Sequence, residues 1–197
     1  MLAGPRSPGV DAVVIGGSAG AVEALGKLLP LLPADLGVPV VVVVHLPNKH
    51  PSLLQEIFAH RCSLQVYEAQ DKLPMEKGAI YFAPPDYHLL IESDHVFALS
   101  VEEPVNFSRP SIDVLFESAA EVYGPRLLAL VLTGASPDGA RGAAAVRSAG
   151  GLVAVQDPRT AQASTMPLAA IKTAAPQLIG TLDELATFTV HTVRGWT

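Results

Sequence analysis

The sequence predicts an α/β domain built on an open, mainly parallel, doubly wound sheet, with an antiparallel hairpin as an accessory. Three observations carry that expectation. Short apolar runs alternate with segments whose apolar residues recur at helical spacing. The Val-rich run at residues 38–44 does not alternate with polar residues, as expected of a strand covered on both faces. Between the first apolar run and the first helical segment stands Gly16-Gly17-Ser18-Ala19-Gly20, at the kind of strand-to-helix turn where open α/β sheets bind ligands.

Taken in order, residues 11–15 read as a buried strand, and residues 16–20 as a turn. From Ala21, the residues Val22, Leu25, Leu28 and Leu29 keep a helical period that ends near Pro30. After the strand at 38–44 comes a helix at about 52–60, with Leu53, Leu54, Ile57 and Phe58 on one side. A short strand is expected at 79–82. Residues 89–92 and 96–100 then suggest a hairpin turning at Ser93-Asp94. Ile112, Leu115, Phe116, Ala119 and Val122 make the stripe of a helix, with Ser111 as its expected N-cap and Gly124 as its stop. The remainder alternates: strand 127–132, helix 140–149, strand 152–155, then helices near 167–173 and 182–188. A single domain over residues 12–190 is expected, with residues 1–11 and 191–197 as loose ends.

Composition narrows the function classes. In 197 residues, 49% hydrophobic and 16% charged, there is material for one well-buried core and little reason to expect disorder. A net charge of −6 without a Lys/Arg run argues against an extended nucleic-acid surface. The most apolar stretch, 28–44, is broken by Pro30, Pro33, Asp35, Gly37 and Pro39, so a membrane span is not expected. Residues 1–10 hold no apolar signal core, and the cytoplasm is the expected compartment. Cys62 is the sole cysteine, which excludes an internal disulfide and reads as a small core hydrophobe. No metal site or cofactor is expected.

Three strand ends hold residues with hydrolytic chemistry. After residue 15, the G-x-S-x-G turn would lift the Ser18 hydroxyl above the sheet, with the following helix N-terminus offering backbone donors at Ala19, Gly20 and Ala21 to an oxyanion. The same turn could equally serve as a plain glycine-rich link whose serine caps the helix. After residue 44 stands His45, a base within reach of the first loop or a core imidazole; His50, His60, His88, His95 and His191 are its rivals. After residue 132, Thr133-Gly134-Ala135-Ser136-Pro137-Asp138-Gly139 places Asp138 just before a helix, as an orienting carboxylate or as that helix's N-cap. Together they form a Ser, His, Asp order along one rim.

At these residues the chain resembles the catalytic domain of the chemotaxis protein-glutamate methylesterases, the CheB family. The matching pieces are Ile15-Gly16-Gly17-Ser18 with Gly20, and Val44-His45-Leu46-Pro47. They continue with Tyr81 through Leu89, Arg109-Pro110-Ser111-Ile112-Asp113-Val114-Leu115-Phe116, and Leu132-Thr133-Gly134 leading to Asp138-Gly139. The resemblance implies a triad of Ser18, His45 and Asp138 that hydrolyses glutamyl γ-methyl esters on the helices of methyl-accepting chemoreceptors; members of the family can also deamidate certain receptor glutamines. About ten residues stand before the first strand where the family's usual form has a receiver domain, so a stand-alone catalytic domain or a piece of something longer is expected, with a separate response regulator or kinase as a candidate partner. Arg109 is a candidate contact for an acidic receptor surface. Ala19 and Ala21 stand where the family commonly has a hydroxyl residue and a second glycine, with Gly20 kept between them, and Ala135, Ser136 and Pro137 replace part of its acidic loop.

A general small-ester hydrolase is a reading the sequence does not separate from a receptor esterase, and two others compete. One is a catalytically silent scaffold of the same family in a signalling complex. The other is a nucleotide-binding module, against which Ser18 and Ala21 stand where G-x-G-x-x-G needs glycine, and His45 where a ribose-binding acid is expected.

Overall fold

A computed structural model describes residues 9–46 and 52–195. The chain runs β1 (Ala12–Gly17), α1 (Ala21–Leu28), β2 (Val40–Val44), α2 (Leu54–Ala59), β3 (Gln65–Glu68) and β4 (Ala79–Phe82). It continues through β5 (His88–Ile91), β6 (Phe97–Ser100), α3 (Ile112–Tyr123), β7 (Leu127–Val131), α4 (Ala140–Ser148) and β8 (Leu152–Gln156), and ends with α5 (Thr165–Ala174), β9 (Leu178–Gly180) and α6 (Leu182–Arg194).

Among the described residues, seven strands form one sheet in the order β3-β4-β2-β1-β7-β8-β9, every pairing parallel. The chain builds outward from β1 on one side and returns to β7 on the other, so β1 and β7 mark the point where the winding reverses. The loops that follow β2, β1 and β7 are therefore neighbours at the carboxyl edge. The expected hairpin is β5–β6, a separate antiparallel pair with Leu89 opposite Leu99.

Both sheet faces are buried, which is why the strands do not alternate. Val13, Ile15, Val40 and Val42 pack with Leu25, Leu28, Phe58 and Leu185 on one side. Val14, Val41, Val43, Ala129 and Val131 pack with Ile112, Phe116, Val146 and Met166 on the other. Burying a side chain of this size stabilises the fold by about 1.5–3 kcal/mol. The hairpin belongs to the second face, where Leu89, Ile91 and Phe97 enter the core beside α3.

The sequence reading differs from the structure in four places. It contains no strand at β3, an edge strand of four residues in which Gln65 and Tyr67 are exposed and Val66 is buried, or at β9, which has three residues. Neither is long enough for a pattern to emerge. The last helix does not stop near residue 188. It continues to Arg194, so residues 191–194, expected as tail, are helical, and Thr192 is buried. Polar Thr189 and Thr192 conceal the apolar period, but their hydroxyls donate to Leu185 O and Phe188 O at 2.8 and 2.7 Å and so sit in the core at little cost. At the other end, Val10 is buried and its N–H donates to Thr192 O.

Candidate active site

Ser18, His45 and Asp138 follow β1, β2 and β7, three adjacent strands with β1 in the middle. The register sets Gly17 opposite Val44, and the His45 N–H donates to Gly17 O at 3.1 Å. On the other side the Ser18 N–H donates to Thr133 O at 2.9 Å. The main chain of Ser18 thus lies between the two loops that bring the imidazole and the carboxylate.

Neighbouring strands are about 4.8 Å apart, so β2 and β7 lie roughly 10 Å apart across β1. His45 and Asp138 close that gap, with Nε2 2.9 Å from Oδ2. The Asp138 side chain is fully buried and the His45 side chain is 14% exposed. Asp138 receives four further donors. Ser111 Oγ, Asn106 Nδ2 and Asp113 N reach Oδ1 at 2.8, 3.0 and 3.2 Å, and Ile112 N reaches Oδ2 at 2.6 Å. The last two N–H groups open α3, so the carboxylate also faces that helix's positive end. Burial alone would push the carboxyl up. The bonds from His45, Asn106, Ile112 and Ser111 outweigh it and bring Asp138 down to about 2.

An ionised carboxylate can only accept, so Nε2 of His45 carries the proton and Nδ1 of the neutral ring is bare. Ser108 Oγ, at 3.4 Å, is the hydroxyl bonded to Nδ1, and that bond is long. Ser18 Oγ itself makes no hydrogen bond among the described residues. The expected alternative for Asp138, capping its own helix, is not what the structure contains: Gly139 holds the N-cap position of α4, and Asp138 caps α3 instead. Ser111 does occupy the N-cap position of α3, but its hydroxyl is turned to Asp138 rather than to its own helix.

The glycines around Ser18 serve close packing more than strain. A Cβ on Gly16 would lie 2.3 Å from Ile112 Cγ2, so only glycine lets α3 press against β1 at this point. Gly20, with φ +80°, is the turn's left-handed residue; Ser18 is not. Of the three donors expected for an oxyanion, Ala21 is a correction, because its N–H is already bonded to Ser18 O at 2.9 Å. The N–H groups of Ala19 and Gly20 have no acceptor among the described residues. Thr133 Oγ1 donates to Ala19 O at 2.9 Å, and in a trans peptide this turns the Gly20 N–H the opposite way.

The other candidates resolve as follows. His88 is buried and both its nitrogens are occupied: Nδ1 accepts from Ser111 N at 3.2 Å, and Nε2 donates to Glu103 O at 3.1 Å. It holds the start of α3 and is not a free base. His50 lies outside the described residues. Arg109 donates from Nη1 to Val101 O and Glu102 O, at 2.9 and 3.0 Å, and so straps its own loop. Cys62 is partly buried, its thiol pushed up to about 11 by desolvation, which keeps it protonated. The altered acidic loop still delivers its carboxylate. Ser136 Oγ accepts from Asp138 N at 3.1 Å, and Met166 of α5 packs against Gly134.

Sequence reasoning missed Asn106, Ser108 and the α3 amides. Asn106 Nδ2 bridges Asp138 and Asp113, the latter at 2.9 Å. Nothing local marks an asparagine in a loop for this task. The run Arg109-Pro110-Ser111-Ile112-Asp113 is a recognisable signal, but a pattern shows a helix start and not which carboxylate it caps.

A serine at a glycine turn, beside a buried carboxylate-held imidazole on the carboxyl edge of a doubly wound sheet, is the arrangement of the serine-hydrolase class. The chain belongs to the CheB methylesterase family, whose model matches residues 13–189. It is 44% identical over 176 residues to a Leptospira interrogans protein provisionally named a protein-glutamate methylesterase/protein-glutamine glutaminase, covering 89% of this chain and 91% of that one. It is 33% identical over 189 residues to the protein-glutamate methylesterase/protein-glutamine glutaminase of Clostridium acetobutylicum, covering 96% of this chain but 55% of that one. The fold matches the crystal structure of the Thermotoga maritima CheB methylesterase catalytic domain with a TM-score of 0.88 and 30% identity, over 92% of this chain and 97% of that one. The family and the fold both count against the nucleotide-binding reading.

Proposed function

We propose that this chain hydrolyses glutamyl γ-methyl esters on methyl-accepting chemoreceptors, with Ser18 as nucleophile, His45 as general base and Asp138 as the group that orients the imidazole. The supporting observation is the 2.9 Å bond between His45 Nε2 and a buried Asp138. It leaves Nδ1, whose bond to Ser108 Oγ is a long 3.4 Å, to take the Ser18 proton as the oxygen attacks the ester carbonyl. Serine–base bonds often tighten only when substrate is in place. The Ala19 and Gly20 N–H groups receive the oxyanion, and Asp138 stabilises the imidazolium. The imidazolium gives its proton to the ester's methoxide oxygen as the C–O bond breaks, methanol leaves, and water activated by Nδ1 then hydrolyses the acyl-enzyme. The same steps on a glutamine release ammonia, in keeping with the double name of the relatives.

The cytoplasm is the proposed compartment, with a response regulator or kinase as the regulating partner. No helix among the described residues is long and apolar enough to cross a membrane. The test is methanol release from a methylated receptor. Ser18→Ala should lower the rate at least about 10⁴-fold while the fold is retained. Near-full activity in that variant would remove Ser18 from the mechanism.

A further inference from the structure

The residues 105–108 form a tight turn beside the catalytic pair. Val105 N donates to Ser108 O at 3.1 Å and Ser108 N to Val105 O at 2.9 Å, closing the chain around Asn106 and Phe107. Both central residues are left-handed, with φ +51° and +62°. This is the backbone of the two-residue turn that favours Asn first and Gly second. Asn106 fits. Phe107 does not, because its Cβ makes that conformation costly and glycine would remove the cost.

The turn is tied to the active site on both sides of Phe107. Asn106 Nδ2 donates to Asp138 Oδ1 and Asp113 Oδ2, and Ser108 Oγ is bonded to His45 Nδ1. Phe107 therefore stands one residue, about 3.8 Å along the Cα trace, from each of two residues that touch the His45–Asp138 pair. Its side chain is directed into solvent. It is 103% exposed, against 68% for Val101, the next most exposed large apolar residue among those described. A strained backbone that presents an aromatic ring to water at the mouth of a reaction centre gains the fold nothing, and such strain concentrates at functional sites.

We propose that Phe107 is a substrate-docking residue that packs on an apolar side chain one helical turn from the esterified glutamate of the receptor helix. The inference rests on the functional reading above and adds the contact by which a protein substrate differs from a small ester. An apolar contact is favoured over an ionic one by the loop itself. From Val101 to Ser111 its one cation is Arg109, whose Nη1 is committed to carbonyls, and Glu102 and Glu103 are exposed. On a helix, side chains three or four positions from the glutamate lie on the same face and within reach of a ring that flanks the reacting centre.

The experiment compares kcat and KM of the wild-type chain and of Phe107→Ala, Phe107→Leu and Phe107→Gly on a methylated receptor cytoplasmic fragment and on p-nitrophenyl acetate. In F107A, KM for the receptor should rise about tenfold, the size of loss expected when an aromatic anchor is truncated. The ratio of receptor to small-ester kcat/KM should fall by the same factor, and F107L should recover most of it. F107G suits the turn's backbone and carries the same test if the alanine variant unfolds. Equal losses on both esters, or an unchanged receptor KM, overturn the docking role alone. A wild-type chain that cleaves p-nitrophenyl acetate but releases no methanol from the receptor overturns the functional reading, and the docking role with it.

Discussion

Asp138 and Asp113 cap each other's helices. Asp138, which precedes α4, accepts the first two N–H groups of α3, and Asp113, at the second position of α3, accepts the Gly142 N–H of α4 at 2.7 Å. The amide of Asn106 donates to both carboxylates. The proposed catalytic carboxylate is therefore part of the joint between two core helices, and its position is set by the same bonds that fix their approach.

Asp138→Asn tests this coupling. The new NH₂ would have to face donors, because five groups now point at the carboxylate. The rate should fall roughly 10³–10⁴-fold as the imidazole loses its acceptor. Stability should fall by about 3 kcal/mol, the usual cost of breaking a buried charged network. Methanol release and denaturant unfolding of the same preparation measure the two losses.

Stability against pH follows from the same carboxylate. Its folded pKa of about 2 is depressed, so its contribution is complete above the unfolded value near 3.8 and is lost as pH falls through about 2. The difference is worth about 2 kcal/mol. Asp113 works in the opposite sense. Burial pushes its carboxyl up, the Gly142 bond opposes that, and the charge of Asp138 adds to the rise. The gap in unfolding free energy between wild type and Asp138→Asn should therefore narrow from pH 4 down to pH 2. A gap that does not change over that range would mean that Asp138 is not ionised in the fold.

Asp113→Asn should give a milder and different defect. Its oxygen can still accept from Gly142, but its amide then meets the Asn106 amide donor to donor. Asn106 must release one carboxamide contact, at a cost of about 1–1.5 kcal/mol. Asp138 keeps its four other donors, so the rate should fall roughly tenfold or less. Thermal unfolding and kcat, measured beside Asp138→Asn, separate the joint from the chemistry.

Two serines are candidates for the nucleophile, and they are not equivalent. Ser108 touches Nδ1 and lies just before α3, whose first N–H groups are committed to Asp138; Ser18 precedes α1 beside the N–H groups of Ala19 and Gly20, which have no acceptor among the described residues. A fluorophosphonate should label Ser18 and leave Ser108 unmodified. Ser108→Ala should lower the rate by less than about tenfold, far short of the Ser18→Ala loss. Labelling at Ser108 would exchange their roles.

The fold class, the central strands, the hairpin and the three strand ends that hold Ser18, His45 and Asp138 were all legible in the amino-acid order. Burial on both faces of a parallel sheet writes itself into unbroken apolar runs, and glycine at position 20 is demanded locally by a left-handed φ, whereas glycine at 16 is demanded by the close approach of Ile112 from α3. What only the tertiary structure decided is which groups meet. That Asp138 caps α3 and not α4, that the bare nitrogen of His45 is Nδ1, that Ala21 is already bonded and that Asn106 joins two carboxylates all depend on contacts between loops far apart in the chain. Such contacts leave no periodicity, because they arise from where two helices dock on a sheet and not from the conformational preference of any one segment.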